Sequence, residues 1–339
     1  MKRKPKIIYS FVLLLLLTAM VWSCKKDPFS ADVSGNKMSL SITRFEDMLF
    51  SSDPSTMEQL IPLWDKELGI FFRHFCQITG IGSVDNPEFA TRFKAFASNF
   101  HNYLVYRRVK EIFPDLNNLN DELNSAFTYY HHYFPDKTIP RVVTYVSGFN
   151  QPAITDDSLL AVGLDKYLGR DEELYRQLGI YNYLLTNMYP EKIASDCMSF
   201  WGETEFPFND SVNNLITNMI YRGKLLYFTS ALLPEQPDSV KWGFTGSDLE
   251  YFNTAEKAMW AFLVEHKLLF NTDKLTINKY VMEGPFTKDF GRGSPARAAV
   301  WIGYRIVESY MQKNRDLTLA RLMEEDDYMK ILNQSAYNP

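Results

Sequence analysis

The sequence predicts an α+β fold, a single mainly helical domain with a small, mostly antiparallel sheet, behind an N-terminal export leader. Three observations predict it. Most of the 339-residue chain beyond residue 54 places apolar residues at three- and four-residue spacing. One window, residues 140–163, is instead β-branched and aromatic and is broken by turn residues. No internal repeat interrupts the run, and no linker is long enough to separate a pair of domains. With 46% hydrophobic and 23% charged residues, the chain can bury a substantial core. Aromatics, 15% of the total, are spread along its length and belong to packing more than to one binding cage.

Residues 1–23 show the three parts of a secretory signal: basic Lys2, Arg3, Lys4 and Lys6, an apolar run through Phe11–Leu17, and Ser23 ahead of Cys24. A spanning helix is the competing reading. The run from Ile7 to Trp22 is only 16 residues, interrupted by Tyr9, Ser10 and Thr18, and is short for a bilayer core. Val21-Trp22-Ser23-Cys24 looks like a bacterial lipobox, with Trp22 in place of the usual small residue. On that reading residues 1–23 are a lipoprotein signal peptide, Cys24 is acylated, residues 24–37 are a polar tether, and residues 38–339 fold. Several acyl chains on one residue hold a protein to a membrane surface, where one chain is marginal. Without the four leader bases, 32 basic residues face 41 acidic ones, a net charge of −9. That balance argues against nucleic acid as a partner, since phosphate binding needs a basic face.

The elements come in this order. Met38–Phe45 alternates apolar and polar residues, as a half-buried strand does. Helical spacing covers residues 54–76, 87–113 and 119–134, with Pro114 and Pro135 closing the last two. Arg141–Val146, Ala153-Ile154 and Leu159–Gly163 then read as a meander turning at Gly148–Asn150 and at Asp156-Asp157, with the strand near residue 42 as an added edge. Helices return over 171–178, 191–200, 210–233, 245–269, 294–313 and 317–332. The helix of residues 210–233 is the organising one. Leu215, Ile216, Met219, Ile220, Gly223, Leu226 and Tyr227 share one wide apolar face; Asp210 or Ser211 caps it and Pro234 ends it.

Motifs that carry chemistry are scarce. None of the five His (74, 101, 131, 132, 266) has a partner at the four-residue spacing that lets one helix face grip zinc. Asp156-Asp157, Glu203 and Glu205, and Glu324–Asp327 read as turn chemistry and solvated faces. Gly-x-Ser-x-Gly is absent. Gly291-Arg292-Gly293-Ser294-Pro295 has no strand ahead of it and no P-loop lysine, and reads as a helix entry with Ser294 as cap and Pro295 at the first position. Cys76 and Cys197 are either a long-range disulfide or two buried small residues; burial is the reading preferred here. The residues themselves therefore assign no catalytic group, no metal ligand and no cofactor.

Several stretches taken together resemble the gliding-motility lipoprotein family GldB of Bacteroidota envelopes. They are Ile42–Glu46 with Leu49-Phe50, Val162–Gly169, Met219–Tyr227, Gly293–Arg297, Trp301–Val307, Tyr310-Met311, and Ile331-Leu332 with Ser335, Tyr337 and Pro339, in family order over nearly the whole mature chain. The resemblance implies a lipoprotein needed for surface gliding, in contact with the envelope machinery of type IX secretion and facing the periplasm. The fold is also distantly similar to zinc metallopeptidases of the gluzincin type. Such a zincin-like scaffold carries His-Glu-x-x-His where this chain has Met219-Ile220-Tyr221-Arg222-Gly223. The resemblance thus implies a non-enzymatic interaction protein whose old groove, with Met219, Tyr221, Arg222, Lys224, Trp301 and Tyr304, is a candidate binding surface. A degenerate or unusual periplasmic hydrolase is the alternative, and a ligand binder using the aromatic helices is a third reading.

Overall fold

Leu159-Leu160-Ala161-Val162-Gly163 has no polar face, and it forms the strand with every residue buried. The computed structural model describes residues 29, 31–33, 35, 37–291 and 293–339. The leader 1–23, Cys24, most of the tether 24–37, and Arg292 lie outside the described residues. A compact unit spans Val33–Pro339.

Four strands, β1 (Ile42–Arg44), β2 (Arg141–Tyr145), β3 (Ala153–Asp156) and β4 (Leu159–Gly163), pair in the order β1-β2-β4-β3. The edge position of β1 is as expected. The meander is not: β1 with β2 and β2 with β4 are parallel, and only β3 with β4 is antiparallel, so the sheet is mixed and not mostly antiparallel. A meander would seat β3 beside β2. Here Ser147–Gln151 carries the chain past that place, and β4 returns into it. Asp165 fixes the crossing by accepting the Ser147 and Phe149 amides at 3.0 and 2.7 Å, with Phe149 at φ 67°. A Cβ at Gly163 would lie 2.7 Å from the Gln151 carbonyl oxygen. A strand covered on both faces reads as a continuous apolar run, and that run is the signal for β4 in the sequence.

Ahead of β2 come α1 (Phe45–Phe50), α2 (Met57–Leu68), α3 (Ile70–Ile78), α4 (Phe89–Ala97), α5 (Phe100–Ile112) and α6 (Asn117–Tyr133). Two expected helices are each divided. Gly69, at φ 52° and ψ −119°, separates α2 from α3. Asn99 separates α4 from α5 because its side chain accepts the His101 and Asn102 amides and starts a new helix. The rings of this half converge on Phe45, whose centroid lies 5.7 Å from Trp64, 5.2 Å from Phe71 and 5.0 Å from Phe75. Phe71 and Phe75 also reach Tyr145 of β2, which joins the helices to the sheet.

After β4 come α7 (Glu173–Gln177), α8 (Asn182–Leu185), α9 (Ile193–Glu205), α10 (Leu215–Leu232), α11 (Asp238–Trp242), α12 (Gly246–Glu265), α13 (Lys274–Val281), α14 (Ala298–Lys313), α15 (Leu319–Glu324) and α16 (Tyr328–Ser335). Helices α8, α11 and α13 are not among those the spacing predicts, and α9 continues past its expected end at Phe200. The organising helix is α10, but its cap is Asn214, which shares a capping box with Thr217. Asp210 and Ser211 lie outside it. Fifteen of its 18 residues are buried, so it is enclosed all round and not on one face.

Helices α10 and α14 cross in backbone contact. A Cβ at Gly223 would sit 2.3 Å from the Gly303 carbonyl carbon, and one at Gly303 only 1.8 Å from the Met219 carbonyl oxygen. No side-chain rotation relieves a clash with backbone. Gly303→Ala is therefore expected to destabilise the chain by about 3 kcal/mol or more, whereas Gly284→Ala, with nothing within 4 Å, stays within about 0.5 kcal/mol. Urea unfolding of the two variants checks this, and equal midpoints would refute the crossing.

Candidate functional site

Around the middle turn of α10 the side chains divide by direction. Tyr221 and Arg222 are half-buried, whereas Met219, Lys224, Trp301 and Tyr304 are buried. The four buried residues present no surface. Met219 lies under α14 beside Gly303. Trp301 stacks on Phe252 with centroids 5.3 Å apart, towards α12. Tyr304 packs at 4.4 Å against Trp242 of α11. The structure thus sends these rings to different neighbours instead of lining one groove with them.

Lys224 is the most unusual of the six. Its ammonium donates to the Met323 carbonyl at 3.0 Å and the Glu325 carbonyl at 2.8 Å, and lies 5.5 Å from the Tyr328 ring centroid. It ties α10 to the connection between α15 and α16. Burial lowers its pKa to about 8, against partial support for the charge from Asp326 and Glu325.

Tyr221 and Arg222 make the polar remainder. The Tyr221 hydroxyl donates to the Phe206 carbonyl at 3.1 Å, and its ring lies 5.1 Å from Phe208. Burial lowers the Arg222 pKa; Glu203 and Tyr221 oppose that, and the nearby Arg297 adds to it. The Arg222 guanidinium reaches the Met282 sulfur at 3.5 Å. Glu203, from the last turn of α9, keeps an exposed face but is crowded enough that lost hydration raises its pKa, with Arg222 countering the rise. Sequence reasoning places Glu203 in a solvated turn; continuing the 3.6-residue period past Phe200 would have placed it on the helix facing α10.

Arg297 closes one side of this cluster. The residue is left-handed, φ 55°, and it immediately precedes α14. The expected cap Ser294 and first-turn Pro295 fall short of the helix, because their carbonyls take the Thr287 amide and hold the preceding loop instead. The Arg297 guanidinium donates to the Trp242 and Gly243 carbonyls, pairs with Glu283 at 3.0 Å and covers the Phe244 ring at 4.4 Å. It is committed to structure. Arg222 keeps more donor capacity, beside Glu203 and the exposed Met282.

Elsewhere, a groove of about 640 Å³ opens beside α2 and α3, where Asp65 and Arg73 pair at 2.9 Å. Cys76 and Cys197 are free and buried, and burial raises both thiol pKa values. Among the described residues, no three His, Cys, Asp or Glu side chains are grouped to hold a metal ion, and no helix is long and apolar enough to cross a membrane. The α10 cluster offers Arg222, the Glu203 carboxylate and the exposed Met282 beside a rigid helix crossing, a set suited to contact with a polar chain.

The family model described as "Gliding motility protein GldB" matches residues 26–339. No curated protein and no solved structure matches the chain.

The titration of Lys224 gives a test with a definite sign. An unfolded lysine holds its proton to about pH 10.4, so between about 8 and that value the unfolded chain binds more protons than the folded one. Stability from this group rises with pH across that window. Lys224→Met is expected to flatten the slope of unfolding free energy there by up to about 1.4 kcal/mol per pH unit relative to the parent. Urea titrations in steps from about pH 7.5 to 10.5 span that window; unchanged slopes would show that the ammonium is solvated.

Proposed function

The chain belongs to the GldB family of gliding motility proteins, and from that premise we propose a lipid-anchored protein of the cell envelope that works by binding other envelope proteins, without catalysis. The family match over residues 26–339 carries the reading, since it begins two residues beyond the acylation candidate Cys24. Acyl chains on Cys24 would hold the body to a membrane on its periplasmic side. The partners are components of the gliding and type IX secretion apparatus.

The kinship with zinc peptidases enters the same proposal. Met219–Gly223 has taken the place of a metal-binding turn, and the interior there is filled by the crossing of α10 with α14. Tyr221 and Arg222, with Glu203 beside them, are the part of the expected binding surface with access to solvent. Contact of a partner with this cluster is the molecular form of the function we infer.

Cys24→Ala tests the anchor. Fatty-acid labelling is expected to vanish, the protein to leave the membrane fraction, and spreading of the colony to stop. A label lost with location and motility unchanged would place the attachment elsewhere. Arg222→Glu tests the contact. It is expected to abolish recovery of partners by mild cross-linking from intact envelopes while the protein keeps its membrane location; undiminished recovery would move the partner surface off this cluster.

A further inference from the structure

Helix α5 shows apolar residues on both faces. Val105, Tyr106 and Val109 are buried in the body. On the opposite side Phe100, Tyr103 and Leu104 are 68%, 42% and 41% exposed. Positions 100, 103, 104 and 107 fall at i, i+3, i+4 and i+7, so the three side chains and the exposed Arg107 form one stripe. Asn99 caps the helix directly after Ser98, so Phe100 stands at an exposed two-residue corner between α4 and α5.

The charge around the stripe is equally lopsided. Residues 89–110 contain Arg92, Lys94, Arg107, Arg108 and Lys110 and no Asp or Glu, in a chain whose formal net charge is −5. Arg92, Arg108 and Lys110 are matched by Glu88, Glu111 with Glu172, and Asp47. Among the described residues no carboxylate lies within ion-pair distance of Arg107, and Lys94 is exposed on the neighbouring α4.

We propose that the outward stripe of α5, Phe100, Tyr103, Leu104 and Arg107, is a contact for an anionic lipid surface. Apolar and aromatic side chains on a convex helix with cations alongside are the composition that lies in a bilayer interface without crossing it. Acidic headgroups supply the charge that the segment lacks, and each nearby Lys or Arg strengthens the attraction. Leu104 and Phe100 would enter the acyl boundary, with Tyr103 at headgroup level and Arg107 on phosphate. The inference rests on the anchoring proposed above, which keeps the body within reach: 13 residues separate Cys24 from Met38, and an extended tether of that length spans at most about 45 Å. The two-point attachment would orient the body on the membrane where the acyl anchor by itself would not.

Tyr103→Trp in the full chain, reconstituted into vesicles with bromine-labelled acyl chains, tests it. With a quarter of the lipid as phosphatidylglycerol, the emission added over the parent chain is expected to be quenched. Quenching is expected to fall severalfold in pure phosphatidylcholine and on adding Leu104→Glu or Arg107→Glu, with flotation and circular dichroism unchanged. A chain that floats with vesicles while the emission of its added tryptophan stays unquenched would leave the anchor standing and overturn the stripe as a lipid contact. Failure to float at all would overturn both. Protection of the new tryptophan only on addition of envelope proteins would assign the stripe to a protein partner and overturn it as well.

Discussion

Two helix backbones touch where Gly223 of α10 meets Gly303 of α14, and the helical half of the molecule is arranged about that point. The absence of a side chain at both positions lets the axes approach more closely than ridges and grooves of larger residues allow. The consequences spread outward. Met219 is committed to the crossing, the rings of Trp301 and Tyr304 are turned to α12 and α11, and α10 is buried nearly all round. A helix so enclosed has little freedom to move as a hinge. Access to solvent is thereby left to its edges, where Tyr221 and Arg222 lie beside Glu203.

Charge inside this body is handled by pairing it with backbone groups or with one or two side chains. Lys224 spends its donors on two carbonyls. Glu46, with no exposed surface, accepts from Arg44 at 2.7 Å and from Thr144 at 2.8 Å; burial raises its pKa and these bonds oppose the rise. Asp165 gives one oxygen to two amides while its other oxygen has no hydrogen-bond partner. Each of these groups joins elements distant in sequence. Removing any one would leave polar atoms stranded in the interior, which costs more than the bond itself contributes.

Much of the helical content and the strands themselves could be read from period and punctuation. The position of β1 at the edge could be read too. The order of β3 and β4 could not, because Leu159–Gly163 pairs on both sides and its neighbours are chosen by Asp165, six residues beyond the start of β4. The divisions at Gly69 and Asn99 lie within continuous apolar periods, where a single left-handed residue or a capping side chain outweighs the pattern. At the site, Tyr221 and Arg222 are legible as polar residues on an apolar helix. The burial of Lys224 is not, since its carbonyl partners come from a connection about 100 residues later.

The chain enters this fold through an edge strand of three residues, and that fixes how it bears load. The backbone amides of Met38 and Leu40 bond to Thr128 and Asn124 of α6, and β1 then lies parallel to β2. Tension drawn on the chain at Met38 meets those two bonds before the sheet. It next meets the ladder of β1, whose hydrogen bonds run across the line of pull and yield together, in shear, instead of opening one after another. Behind them stands the buried link from Arg44 through Glu46 to Thr144. A pull from that side is in this way shared between α6 and the sheet before it reaches the helices beyond β4.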